Sequence, residues 1–185
     1  MIPQRINTLE EFEAFIARPE NADKLFEFIH GEIVEKMPSN PYVSEVASLI
    51  IFFLRLFLRE HGIEGHITEG QGGYVVAGEK YAPDVAYISK ERQPKLARKG
   101  YNPNPPELAV EIESPTSAES ERRLRAKLLN YIAAGVLVWI VYPESREVEI
   151  YAPGEPMKTI GIDDTLDGGD VLPGFTLAVK EIFPE

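Results

Sequence analysis

Glu107-Leu108-Ala109-Val110-Glu111-Ile112-Glu113 alternates aliphatic residues with acidic or small ones at every second position. A period of two belongs to a β-strand, so Glu107, Ala109, Glu111 and Glu113 share one face and Leu108, Val110 and Ile112 the other. The aliphatic face suits a core. Just upstream, Pro83-Asp84-Val85-Ala86-Tyr87-Ile88 reads as a second short strand with an aspartate at its entrance. Pairing of these two strands would set Asp84 beside Glu111 and Glu113 as a cage of carboxylate oxygens. Hard divalent cations such as Mg²⁺ are held this way, by one or two carboxylates completed by water and substrate phosphates. The plainer alternative is an acidic strand face turned to water.

Downstream of that stretch, Ser114-Pro115 leads to Thr116 or Ser117 as the cap of a helix reaching about Ala134, with Gly135 as its stop. Leu124, Leu128, Tyr131 and Ile132 form its apolar stripe. Lys127 lies three residues after Leu124 and four before Tyr131, which puts it on the inward side; a lysine snorkelling along the helix would sit at the same place. Val136–Tyr142, with Trp139, is an almost wholly apolar run suited to a central buried strand.

Between the two acidic strands runs Ser89–Pro106, a long loop with Lys90, Arg92, Lys95, Arg98 and Lys99. It is either a substrate contact or a solvated charge run. Gly70-Gln71-Gly72-Gly73 lacks the Lys-Ser/Thr and the following helix of a phosphate loop, and is expected to be a sheet bend. Val46–Leu58 is apolar nearly all round, as for a helix packed on more than one side and ending near Gly62. Arg55 interrupts it and it is too short for a bilayer. His30-Gly31 reads as a hairpin turn between Lys24–Ile29 and Glu32–Met37. Glu27 shares a face with Leu25 and Ile29, and is expected to pair with Lys36 across that hairpin. Thr8-Leu9-Glu10-Glu11 is a capping box opening a first short helix.

The 185 residues are expected to form a single domain, 1–185, of mixed α/β (α+β) class: a sheet carrying Asp84 and Glu111 with the two long helices against it. With 44 % hydrophobic and 26 % charged residues, the composition is that of a globular domain. Absence of cysteine excludes disulfides, thiolate zinc sites and a cysteine nucleophile, and fits a reducing cytoplasm. The start, Met1–Glu10, lacks a basic region followed by an apolar run, so a cytoplasmic location without membrane attachment is expected. A net charge of −11 opposes broad attraction to nucleic acid, although bound cations reverse the local sign at an acidic site. No Gly-x-Ser-x-Gly elbow is present, and His30, His61 and His66 lack metal-ligand spacing.

The order that remains is Pro83-Asp84, then Glu111 on the next strand, then Lys127 on the next helix. It resembles the PD-(D/E)XK superfamily with its restriction-endonuclease-like fold, and more closely a bacterial branch of largely uncharacterised endonucleases. The likeness runs over nearly the whole chain: the Leu25–Met37 hairpin, Tyr81-Ala82-Pro83-Asp84-Val85-Ala86, Glu107–Pro115, then Lys127, Tyr131, Ala134-Gly135-Val136 and Trp139. One departure matters. The superfamily's lysine stands two residues after the strand acid, and here that position is Glu113; the branch supplies its lysine from the helix.

The resemblance implies metal-assisted hydrolysis of DNA phosphodiester bonds, with Asp84, Glu111 and Lys127 as catalytic residues. Asp84, Glu111 and Glu113 would hold Mg²⁺ or Mn²⁺, the Ile112 carbonyl could add a ligand, and Glu27 could tether metal-bound water. A homodimer with two sites would cut both strands of a duplex most simply. Two rivals are a catalytically silent nuclease-fold module that binds a protein or nucleic acid, and a glycoside hydrolase using two carboxylates.

Overall fold

The computed structural model describes residues 7–113 and 117–184; the Met1–Ile6 start and the Ser114-Pro115-Thr116 part of the pattern lie outside the described residues. The capping box forms as expected: Thr8 Oγ1 accepts from Glu11 N–H (3.1 Å) and Glu11 Oε2 accepts from Thr8 N–H (2.9 Å). It opens helix α1 (Leu9–Ile16), whose buried Phe12 packs on Phe26 and Phe28 of strand β1 (Phe26–Ile29). Strand β1 turns into β2 (Glu32–Glu35) through His30 and Gly31, both at positive φ (49° and 77°), as a two-residue hairpin requires.

Helix α2 (Pro41–His61) follows. Asn40 Oδ1 caps it from Val43 N–H (3.0 Å), proline occupies its first turn, and Gly62 stops it at φ 63°. Four strands come next: β3 (Gly65–Glu69), β4 (Tyr74–Val76), β5 (Glu79–Tyr81) and β6 (Val85–Ser89). The alternating stretch forms β7 (Leu108–Ile112), and Ser117 caps α3 (Ala118–Ala133). Strands β8 (Leu137–Tyr142), β9 (Glu147–Tyr151), β10 (Lys158–Ile160), β11 (Thr165–Asp167) and β12 (Thr176–Ala178) complete the order.

Six strands build the main sheet in the order β10-β9-β8-β7-β6-β3. Only β7 and β8 run parallel, joined by the α3 crossover. A second sheet, β2-β1-β5-β4, lies against the α3 side. Among the described residues the structure is thus a mixed sheet with helices on both faces, the mixed α/β class expected from sequence.

Period-two alternation explains the layers. Val85, Val110 and Trp139 face α2 through Val46, Ile50 and Leu54, whereas Ala86, Ala109, Val138 and Ile140 face α3 through Leu124 and Tyr131. Each such Val, Leu or Ile side chain contributes about 1.5–3 kcal/mol by leaving water, and Leu54→Ala would cost about 2–5 kcal/mol. Since both faces of β7 are covered, Glu111 on the α3 face is enclosed, not solvated.

Helix α2 departs from expectation. It buries a single face and leaves Phe52 55 % exposed, because the main sheet lies on one side of it. At 21 residues it is also long and apolar enough to cross a membrane, a property that core helices share.

Candidate active site

Antiparallel pairing of β6 with β7 puts Val85 opposite Val110, which leaves Asp84 level with the last residues of β7. There Asp84 Oδ2 accepts from Ile112 N–H at 2.8 Å. Its other oxygen, Oδ1, takes the Lys36 ammonium at 2.8 Å, and Lys36 also donates to the Ala82 carbonyl. The aspartate is therefore fixed in place by a strand end on one side and a hairpin lysine on the other.

Glu111, one residue before Ile112, points to the opposite side of the strand from Val110 and into the α3 layer. Lys127 Nζ lies 2.8 Å from each of its oxygens, and Tyr131 Oη donates to it at 2.9 Å. The same ammonium reaches Glu27 Oε1 at 2.9 Å, and that oxygen also accepts from Ala82 N–H at 2.8 Å. The Tyr81 ring lies under Lys127, 5.7 Å from its nitrogen. Glu27, Glu111 and Lys127 are all buried.

Why α3 delivers Lys127 here follows from its spacing. Arg123, Lys127 and Asn130 fall four and three residues apart, on one helical face. All three engage the smaller sheet: Arg123 pairs with Glu32 (3.0 Å), Lys127 with Glu27, and Asn130 donates to Glu79 (3.1 Å) and Tyr81 Oη (2.6 Å). Burial opposes the charge of Glu32, but Arg122 and Arg123 overcome it and hold that carboxyl below its ordinary range.

Charges of both signs are packed together at the centre. Burial works against the Lys127 ammonium, yet Glu111 and Glu27 outweigh it and keep the group protonated well above the usual lysine range. Burial pushes the Glu111 carboxyl up; Lys127 opposes this, while Glu27 and Asp84 reinforce it. Glu113, half-buried beyond the end of β7, is pushed up to about 7 by burial and then by the Glu111 and Asp84 charges. Four acidic side chains (Glu27, Asp84, Glu111, Glu113) thus lie with two ammonium groups (Lys36, Lys127), and the crowding of acids adds to burial in raising Glu111 and Glu113.

A divalent cation bound among these acids would relieve their mutual repulsion. Among the described residues no three acidic or histidine side chains close round one point. A cation here would be held by at most two of these carboxyl groups, Asp84 with Glu111 or Glu113, with the Ile112 carbonyl, water or substrate oxygens filling the rest.

The structure gathers Asp84, Glu111 and Lys127, and places Glu113 beside them. One expectation is corrected: Glu27 pairs with Lys127, not Lys36. Lys36 lies one residue past β2, its N–H still bonded across the hairpin to the Leu25 carbonyl (2.9 Å), and its side chain reaches Asp84. Lys36 and Tyr131 are the site residues that sequence reasoning missed in this role. Lys36 stands in a cleft of about 450 Å³ with Asp84, Gly70, Gln71 and Ser44.

A mixed, helix-flanked sheet that brings an aspartate, a glutamate and a helical lysine to one strand end defines the nuclease-fold class, consistent with the PD-(D/E)XK superfamily. Over residues 9–180 the chain matches the profile of the Uma2 family, described as "Putative restriction endonuclease", and it belongs to that family. The fold is shared with a solved structure described as "a putative nuclease belonging to DUF820" from Anabaena variabilis. The TM-score is 0.75 at 18 % identity, over 92 % of this chain and 96 % of that one. Among curated proteins none matches.

Proposed function

We propose that the chain is a divalent-metal-dependent endonuclease that hydrolyses phosphodiester bonds in DNA, with Mg²⁺ or Mn²⁺ as its cofactor. The observation that carries this is the convergence of Asp84, Glu111 and Lys127 from two strands and a helix onto one cluster of charged side chains beside an open cleft. Membership of the Uma2 family supports it.

Asp84 lines the cleft, as Glu69 does, and together with Glu111 or Glu113 it would hold the cation. When bound, such a cation polarises a phosphoryl oxygen and lowers the pKa of water. The protein's own residues do the rest. Lys127 orients Glu111 and Glu27 without lining the cleft. Lys36, at the cleft wall, offers a positive charge to phosphate oxygens as charge develops on them. Tyr131 Oη fixes the Glu111 rotamer from behind.

A second reading, a nuclease-fold module that binds without cutting, draws on the burial of Glu111 and Lys127. The two separate on a substrate panel: labelled single-stranded DNA, duplex DNA and RNA, incubated with Mg²⁺, Mn²⁺ or EDTA. Metal-dependent cleavage of DNA is expected. Binding with no cleavage under any metal would favour the silent module, and cleavage of RNA alone would overturn the DNA assignment.

A further inference from the structure

Among the described residues, one segment of this acidic chain gathers cations that form no ion pair. Among the described residues the side chains of Lys95, Arg98 and Lys99 form no ion pair, whereas Lys90 at the start of the same loop pairs with Glu64 (2.5 Å). The chain as a whole carries a net charge of −11.

The loop that carries it is rigidly built. Asn102 is buried; its Oδ1 accepts from Ala97 N–H (3.2 Å) and its Nδ2 donates to the Asn104 carbonyl (3.1 Å). Its backbone pairs on both sides with the turn between β3 and β4, Asn102 N–H to the Gly73 carbonyl and Val75 N–H to the Asn102 carbonyl, each 2.8 Å. Gly73 makes that approach possible, since a Cβ there would fall 2.4 Å from Tyr101 Cδ1. Tyr101 in turn donates to the Phe26 carbonyl. The cations therefore sit on a loop organised before any ligand arrives.

Position links the loop to the carboxylate site. A cleft of about 190 Å³ separates Gln71, Gly72 and Gly73 from Arg98 and Lys99. Gln71 also lines the larger cleft that holds Asp84 and Lys36. At Gly70 a Cβ would stand 3.6 Å from Asp84 Oδ1 and 3.7 Å from Lys36 Nζ. The Gly70–Gly73 turn is thus a shared wall, low because three of its four residues lack side chains, between the acidic centre and the basic loop.

We propose that the two clefts form one groove that binds a nucleic-acid strand, with the reacting phosphate at Asp84 and Lys36 and the continuing backbone passing over Gly70–Gly73 to Arg98 and Lys99. This rests on the nuclease reading of Asp84 and gives its substrate a direction across the surface. Arg98 and Lys99 would neutralise phosphates irrespective of base, so they set affinity and register rather than sequence preference.

Fluorescence anisotropy of fluorescein-labelled single-stranded and duplex DNA tests it on the full chain, with Ca²⁺ or EDTA replacing Mg²⁺ to hold back cleavage. Arg98→Glu with Lys99→Glu is expected to weaken binding at least about 10-fold and to lower the salt slope by about 1.4 for single strands, as for two lost phosphate contacts. The charge-matched control Arg59→Glu with Lys180→Glu, whose exposed residues line neither cleft, should bind much as wild type does. The neutral pair Arg98→Gln with Lys99→Gln should fall between, and circular dichroism checks that all fold. Equal losses in the control and the loop variant, unchanged binding in the loop variant, or no binding by wild type would each overturn the groove. Failure of the nuclease reading shows elsewhere, as cleavage indifferent to Asp84→Asn, while the anisotropy result stands on its own.

Discussion

Lys127 Nζ joins Glu27 and Glu111 across 100 and 16 residues of sequence, at 2.9 and 2.8 Å, in a layer closed to water. The lysine is a keystone between the two sheets as well as part of the candidate site. Removing one partner of a buried ionic cluster strands the others, at about 3–5 kcal/mol.

Lys127→Met should therefore lower the urea-unfolding free energy by about 3–5 kcal/mol. Adding Glu27→Gln should restore part of the loss, because one stranded carboxylate is then neutral. Chemical denaturation of both variants checks this. A cost below about 1 kcal/mol would mean that water reaches the cluster. Loss of cleavage in Lys127→Met is interpretable only beside that stability value.

Lys36 is different in kind, since its side chain remains partly exposed and water can replace it. Lys36→Met should cost less than Lys127→Met in stability. It should also tighten Mn²⁺ binding by roughly 1 kcal/mol, about fivefold, by removing an ammonium that competes for Asp84. Titration calorimetry with Mn²⁺ reads this directly; weaker binding in the variant would contradict it.

Glu113 titrates near 7 in the folded chain and near its ordinary value, about 4.3, when unfolded. Between those values the folded state binds more protons than the unfolded state, so stability falls as pH rises through this window. Glu113→Gln should flatten that decline in urea midpoints measured from pH 4.5 to 7.5. Parallel curves for wild type and variant would contradict it. If Glu113 ligates the cation, Mn²⁺ binding near pH 6.5 should also release protons, seen as a dependence of the heat on buffer ionisation enthalpy.

Gly73→Ala should destabilise by about 1–3 kcal/mol, since the added carbon meets the Tyr101 ring. Hydrogen exchange should rise first at Asn102 and Val75, whose mutual pairing depends on that approach. Uniform protection in the variant would show that the ring moves aside freely.

Much of this was legible in the sequence. Alternation in Glu107–Glu113 located β7 and its two faces, and helical spacing turned Lys127 inward. The hairpin at His30-Gly31 and the helix stops at Gly62 and Gly135 follow from local turn chemistry. What escaped is non-local. The partner of Glu27 depends on β1 pairing with β5 and on α3 docking, neither of which leaves a mark within the Leu25–Met37 segment. Strand β5 itself, three residues of Glu-Lys-Tyr, has no apolar alternation to announce it. Likewise α2 looked apolar all round, and only the position of the sheet decides which stripe is covered.

The central measurement is nicking of supercoiled plasmid by purified wild type, Asp84→Asn and Glu111→Gln side by side, with Mn²⁺ or Mg²⁺ and with EDTA. Metal-dependent nicking by wild type that disappears in both variants is the expected result. Nicking that persists in Asp84→Asn, or that survives EDTA, would contradict a metal-dependent phosphodiesterase centre built on Asp84 and Glu111.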